Sequence, residues 1–277
     1  AGKHISGVIL YDETIRQEAS DGQPLVKKIQ DGGMIPGIKV DTGAKPLAPY
    51  GEEKVTEGLD GLRERFQEYY QLGARFAKWR AVIDVGQNRP SSQCLKANAH
   101  ALARYAALAQ ENDIVPIVEP EVLMDGDHDI DAHYRATEMT LREVFAQLAE
   151  QNVLLEGMVL KPNMVLSGKE ASKQAGPQEV AQKTLDCFMR TVPAAVPGVA
   201  FLSGGQTDEQ ATENLDAINK LGDKIGAPWA LSFSYGRALQ DAALRAWSGD
   251  NDNAESARKA FFDRAVATSK AAQGKYA

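Results

Sequence analysis

Residues 113–122 read DIVPIVEPEV, and the way this stretch folds decides the architecture of the chain. Val, Ile and Pro fill a run too short for a helix and edged by Asp, which suits a buried strand. Glu119 and Glu121 close it. Residues two apart on a strand share a side, so both carboxylates point the same way from the end of an apolar run.

Six further runs have the same character: SGVIL (6–10), MIPGIKV (34–40), ARFAKWRAV (74–82), LLEGMVLK (154–161), GVAFLSG (198–204) and WALSFSYG (229–236). Between most of them lie segments with apolar residues three and four apart. Leu59, Leu62, Phe66 and Tyr70 form one such stripe, and Leu141, Val144, Phe145 and Leu148 another. These are amphipathic helices. Leu-Gly at 72–73 and at 221–222 suits helix C-termini, while Pro177 after Gly176 and TDEQ at 207–210 suit helix starts. Strand and helix therefore alternate, which gives parallel strands joined by crossover helices. A regular series of this length predicts an α/β fold of the (β/α)8 TIM-barrel type. No Gly-rich dinucleotide fingerprint follows the first run, which weakens an open doubly wound sheet. Residues 1–277 are expected to form one domain, with seven strands visible where a closed barrel has eight.

With 43% hydrophobic residues in 277, the chain can bury a large core. A net charge of -7 argues against a surface broadly committed to nucleic acid or anionic membrane, so a basic cluster would be a site. Cys94 and Cys187 fall in helical segments and read as ordinary thiols of a reducing compartment. No apolar stretch is long enough to span a bilayer, and ISGVIL lacks the pattern of a signal peptide, so a cytoplasmic location is expected.

The C-terminal ends of barrel strands carry the active site in this architecture. Successive runs end on Lys39, on Lys78 and Arg80, on Glu119 and Glu121, on Lys161, on Ser203-Gly204-Gly205, and on Gly236-Arg237. Any one such lysine is most simply a solvated surface charge. Independent surface charges have no reason to gather at the same end of six consecutive strands. Convergence would give a pocket suited to an anionic substrate that needs acid and base chemistry. LSGG and SYGR occupy the last two strand-to-helix loops, where backbone N–H groups of barrels commonly hold phosphate, and Arg237 adds a cationic fork. The Asp- and His-rich DGDHDIDAH (125–133) has no zinc or EF-hand spacing, so no metal site is expected, and no Ser nucleophile elbow is present.

A lysine desolvated beside other cations has its charged form disfavoured twice, so free amine is present near neutral pH. Such an amine forms an imine with a ketone, and the protonated imine is an electron sink for cleavage of the bond β to the imine carbon. Glu119 and Glu121 can supply the acid and the base.

In order along the chain, GVIL, GIKVD, FAKWR, DIVPIVEPE, LKPNM, RTVP, FLSGGQ and PWALSFSYGRALQ resemble the motifs of the class I, Schiff-base fructose-1,6-bisphosphate aldolases over essentially the whole sequence. The resemblance implies reversible cleavage of fructose 1,6-bisphosphate into dihydroxyacetone phosphate and glyceraldehyde 3-phosphate, with no metal or other cofactor, in a homotetramer that binds neither nucleic acid nor membrane. It implies Lys161 as the Schiff-base lysine and Glu119 as the acid/base carboxylate, with Glu121 and Lys78 assisting. Lys39, Arg80, Ser203, Gly204, Gly205, Ser234, Gly236 and Arg237 would hold substrate and phosphate. The family also has a preceding strand that ends on a catalytic Asp, and a C-terminal tail that ends on Tyr; the motifs present start at the second strand. Asp12 and Asp41 belong to other motifs and are not expected to replace that Asp. Two readings stay open beside the aldolase: a non-catalytic phosphate-binding or scaffold form of the same fold, and a Schiff-base enzyme acting on another phosphosugar.

Overall fold

The computed structural model describes residues 2–276. In chain order its strands are β1 (Gly7–Leu10), β2 (Ile35–Lys39), β3 (Gly43–Leu47), β4 (Tyr50–Glu57), β5 (Phe76–Ile83), β6 (Val115–Val122), β7 (Val159–Leu160), β8 (Gly198–Phe201) and β9 (Ala230–Phe233). The helices are α1 (Asp12–Ile15), α2 (Leu25–Asp31), α3 (Leu62–Gln71), α4 (Ser92–Glu111), α5 (Ile130–Glu150), α6 (Pro177–Thr191), α7 (Asp208–Ile225), α8 (Arg237–Trp247) and α9 (Ala254–Ala271). Each of the seven apolar runs contains one strand of a single parallel sheet, in the order β1-β2-β5-β6-β7-β8-β9. β3 and β4 form a separate antiparallel hairpin that the sequence reading does not contain.

The register sorts the side chains into two faces. Ile9 pairs with Gly37, Lys39 with Lys78, Lys78 with Ile117, Ile117 with Val159 and Ala200 with Ser232. Residues of this parity, from every strand of the sheet, line one cavity of about 900 Å³. Because β1 and β9, the ends of the strand order, both contribute to its wall, the sheet curls into an open, barrel-like trough. The rings of His4 and Phe262 meet across the opening at 5.5 Å.

The opposite parity carries the core. Ile38, Trp79, Val118, Leu160 and Val199 are buried beneath the helices. Trp79 stacks on Tyr105 of α4 at 5.7 Å, and the Tyr105 hydroxyl donates to the Ile117 carbonyl at 3.1 Å. This contact fixes α4 against β5 and β6, and truncating Trp79 to Ala would cost about 3–5 kcal/mol.

Several local expectations change. Tyr69, not Tyr70, lies on the buried face of α3, with its hydroxyl donating to Asp12 at 2.9 Å, while Tyr70 faces solvent over the Arg75 guanidinium. The second Leu-Gly does not end α7. Gly222 sits inside the helix because a Cβ there would fall 2.7 Å from Leu231 of β9, and the helix stops at Gly226 with φ 69°. Its start is as read, with Thr207 and Gln210 forming a capping box. Lys78 and Arg80 stand within β5 rather than at its end, since that strand runs on to Ile83.

Candidate active site

Five charged side chains form an alternating line whose three lysines line the cavity. Lys39 Nζ is 2.8 Å from Asp41 Oδ1, Lys78 Nζ lies 3.6 Å from Asp41 Oδ2 and 3.4 Å from Glu119 Oε2, and Lys161 Nζ lies 3.1 Å from Glu119 Oε1. Strand geometry explains the convergence. Lys39 and Lys78 are register partners, Glu119 is one pleat beyond Ile117, and the Lys161 amide extends the ladder past β7 by donating to the Val118 carbonyl at 2.8 Å. Arg80 is paired with Glu119 in register and turns its guanidinium to Glu121, half-exposed above the line.

Lys161 is held with its side chain 10% exposed, over the apolar floor of Val159 and Ile117. Desolvation lowers its pKa from the ordinary lysine value; Glu119 opposes the shift and Lys78 adds to it. The amine is therefore readier than a surface lysine to be neutral and nucleophilic. Glu119 is 3% exposed, and its Oε2 accepts no hydrogen bond among the described residues. That oxygen lies beside Lys78 Nζ, while the other, Oε1, faces Lys161 Nζ at 3.1 Å; a buried carboxylate beside an amine is the arrangement that proton transfer at that amine needs.

Asp41 is the residue that sequence reasoning set aside. It is buried, bridges two of the three lysines and accepts the Arg80 amide at 3.2 Å. The same two-residue spacing that singled out Glu119 and Glu121 also links Lys39 to Asp41 and was the signal available. Tyr11, just beyond β1, was also passed over; its ring lies 5.7 Å from the Lys39 ammonium.

The glycine loops stand beyond β8 and β9. Gly204 and Gly205 have φ 61° and 88°, a region natural to glycine, and Gln206 pins the turn by donating from both its amide and its side chain to the Ser203 carbonyl. The amides of Gly204 and Gly205 donate to no acceptor among the described residues, and neither do those of Gly236 and Arg237, which open α8. Unpaired N–H groups at a helix N-terminus and a glycine turn attract anions. Ser234 joins the loops to the sheet by donating its amide to the Phe201 carbonyl at 2.8 Å. Lys39, Lys78, Lys161, Ser234 and Gly236 line the 900 Å³ cavity, whereas Glu119, Arg80, Glu121, Ser203, Gly204, Gly205 and Arg237 do not and form its surroundings.

The DGDHDIDAH stretch is structural. His133 is wholly buried on α5, with Nε2 3.2 Å from the Val122 carbonyl and Nδ1 accepting the Leu166 amide, and burial pushes its pKa down to about 4. It thereby anchors the loop that follows Lys161. Cys94 and Cys187 are buried in helices, each thiol pushed up to about 12 by burial, which leaves them unreactive.

Residues 1–277 match the family model described as fructose-bisphosphate aldolase class-I. A protein of Xanthomonas campestris pv. campestris named probable fructose-bisphosphate aldolase class 1 is 59% identical over 99% of this chain and 81% of its own length. The Arabidopsis thaliana protein named fructose-bisphosphate aldolase 6, cytosolic, is 51% identical over 98% of this chain and 75% of its own length. A solved structure of fructose-bisphosphate aldolase from Plasmodium falciparum, in complex with TRAP and a small-molecule inhibitor, superposes with TM-score 0.97 at 48% identity, covering all of this chain and 79% of that one.

Proposed function

The chain belongs to the class I fructose-bisphosphate aldolases, and we propose that its reaction, the reversible glycolytic cleavage of fructose 1,6-bisphosphate to dihydroxyacetone phosphate and glyceraldehyde 3-phosphate, runs through an imine on Lys161. The observation that carries this assignment is the buried Lys161–Glu119 contact of 3.1 Å at the wall of the cavity. The neutral amine adds to the ketone carbon. Glu119, carrying the proton it has taken from the Lys161 ammonium, returns it to the carbinolamine hydroxyl, water leaves, and an iminium remains. Glu119, once more a carboxylate, takes the proton of the C4 hydroxyl as the C3–C4 bond breaks. The bonding pair collapses into the iminium as an enamine, and the aldehyde departs. Protonation of the enamine and hydrolysis of the imine release the second triose phosphate.

Lys78 stabilises negative charge on substrate oxygens between Asp41 and Glu119, and Glu121 keeps Arg80 aligned. The phosphate next to the ketone is held by Ser203, Gly204, Gly205, Ser234, Gly236 and Arg237; the unpaired amides of Gly204, Gly205, Gly236 and Arg237 support that role. The far phosphate reaches Lys39 and Arg80. The iminium is itself the electron sink, so this chemistry calls for no metal.

In this reading the seven strands are strands 2 to 8 of a single-domain (β/α)8 barrel. The outer edges of β1 and β9, unpaired among the described residues, favour it, as does the greater length of the relatives. A cytoplasmic homotetramer without nucleic-acid or membrane partners completes the proposal; no described helix is long and apolar enough to cross a membrane. Borohydride reduction with dihydroxyacetone phosphate tests the mechanism. A stable adduct mapped to Lys161 is expected. Absence of an adduct on the folded protein rejects catalysis by this chain and favours a binding or scaffold role. A smaller KM for fructose 1,6-bisphosphate than for fructose 1-phosphate is expected if Lys39 and Arg80 hold the second phosphate.

A further inference from the structure

Three loops meet beside the glycine turn. The loop after β7 is stitched to the loop after β6 by backbone bonds from Gly168, Lys169 and Glu170 to the carbonyls of His128, Met124 and Gly126, at 2.8, 2.7 and 3.0 Å. The approach is so close that a Cβ on Gly168 would fall 2.2 Å from the Gly126 oxygen. This clamp carries the Lys169 side chain across to the loop after β8. A Cβ built on Gly205 would lie 2.9 Å from both Cε and Nζ of Lys169. The ammonium therefore sits in contact with the turn whose amides have no acceptor. Its partner is Asp125, 2.9 Å away, in a pair that is 41% and 64% exposed. Such a pair contributes little to folding. The backbone beneath the cation is fixed while its head remains free to change partner.

We infer that Lys169 is a further anion-binding residue, which exchanges Asp125 for the phosphate next to the ketone and so selects phosphorylated over unphosphorylated ketoses. The inference rests on the assignment of that phosphate to the glycine loops. An exposed carboxylate carries one negative charge and a phosphate near neutral pH carries nearly two, so the cation moves toward the incoming group. Asp125 then acts in opposition, holding the cation back when no phosphate is present and repelling the phosphate when it arrives.

The test uses borohydride trapping at Lys161 with two ketones, dihydroxyacetone phosphate and dihydroxyacetone, and inorganic phosphate as competitor. Lys169→Met should lower the preference for the phosphorylated ketone about tenfold, as loss of one partly exposed charge-assisted contact does, and should weaken inhibition by inorganic phosphate to the same degree. Lys169→Arg should restore most of the preference. Asp125→Asn should shift phosphate inhibition the other way, making it a few-fold tighter. An unaltered preference in Lys169→Met, an equal loss with both ketones, or weaker phosphate inhibition in Asp125→Asn each overturns the inference. Failure of the wild-type protein itself to form either adduct would instead reject the assignment of Lys161.

Discussion

Lys39, Asp41, Lys78, Glu119 and Lys161 alternate in sign along their line, with one cation in excess. The excess charge is the costly one, and Lys161 is the member with a lowered pKa. Replacing it with Met leaves two balanced pairs and fills the same volume. Lys161→Met should therefore stabilise the fold by about 1–2 kcal/mol in urea denaturation while forming no borohydride adduct. The same asymmetry sets a pH dependence. Between the lowered pKa of Lys161 and its ordinary value the unfolded chain binds the extra proton, so this group's contribution to stability rises with pH across that window. Lys161→Met should flatten that part of the stability profile. Imine formation needs the neutral amine, so trapping by the wild type should also rise with pH through the same pKa. Glu119→Gln removes the carboxylate that opposes the shift; the acid limb of the trapping profile should move to lower pH while its maximum falls. A limb that stayed in place would mean that Glu119 does not face the amine in solution. Lys161 and Glu119 were legible in the sequence because strand alternation places charges on the inward side. Asp41 was legible only in part: it shares the two-residue spacing with Lys39, but its contact with Lys78 comes from the pairing of β2 with β5, which spacing along one strand does not reveal.

Among the elements, the seven sheet strands could be read because each is an apolar run, but the β3–β4 hairpin could not. Its strands are mostly exposed, and the positions it buries include Glu53 and Thr56. It is held by polar contacts with α4 and its N-cap, with Leu47 packed on a small apolar cluster. The Ser91 amide donates to Glu53, the Thr56 amide to Asn98 Oδ1 at 3.1 Å, and Asn98 Nδ2 to the Lys54 carbonyl at 2.8 Å. Thr56 then donates its hydroxyl to the Arg80 carbonyl at 2.7 Å, so the hairpin braces β5 beside the site. Asn98→Ala strands a buried amide and a carbonyl and should cost about 2–3 kcal/mol by denaturant titration. It should also raise the KM for fructose 1,6-bisphosphate while trapping at Lys161 persists; loss of both together would show that the hairpin does more than orient Arg80. The end of α7 was misread for a different reason. Gly222 is small to admit Leu231 from the neighbouring strand, a requirement of packing that mimics a stop signal in sequence.

Across the whole molecule, strand order in the sheet follows chain order apart from the inserted hairpin, so each β-strand and helix contacts chiefly the units before and after it. The alternation of runs made that topology legible, while closure of the trough was not, because it depends on what lies against β1 and β9. Arrays with neighbour-only contacts do not melt evenly. β5 and β6 share eight register pairs and have a strand on either side, while β1 and β9 have four residues and, among the described residues, one free edge each. Backbone amides should therefore exchange with deuterium in a gradient, fastest in β1 and β9 and slowest in β5 and β6. Uniform protection across the sheet would mean that the edges are covered in solution. Such a gradient would have a consequence for durability: the seam would open and reclose many times while Lys78 and Glu119, seated on β5 and β6, kept their places.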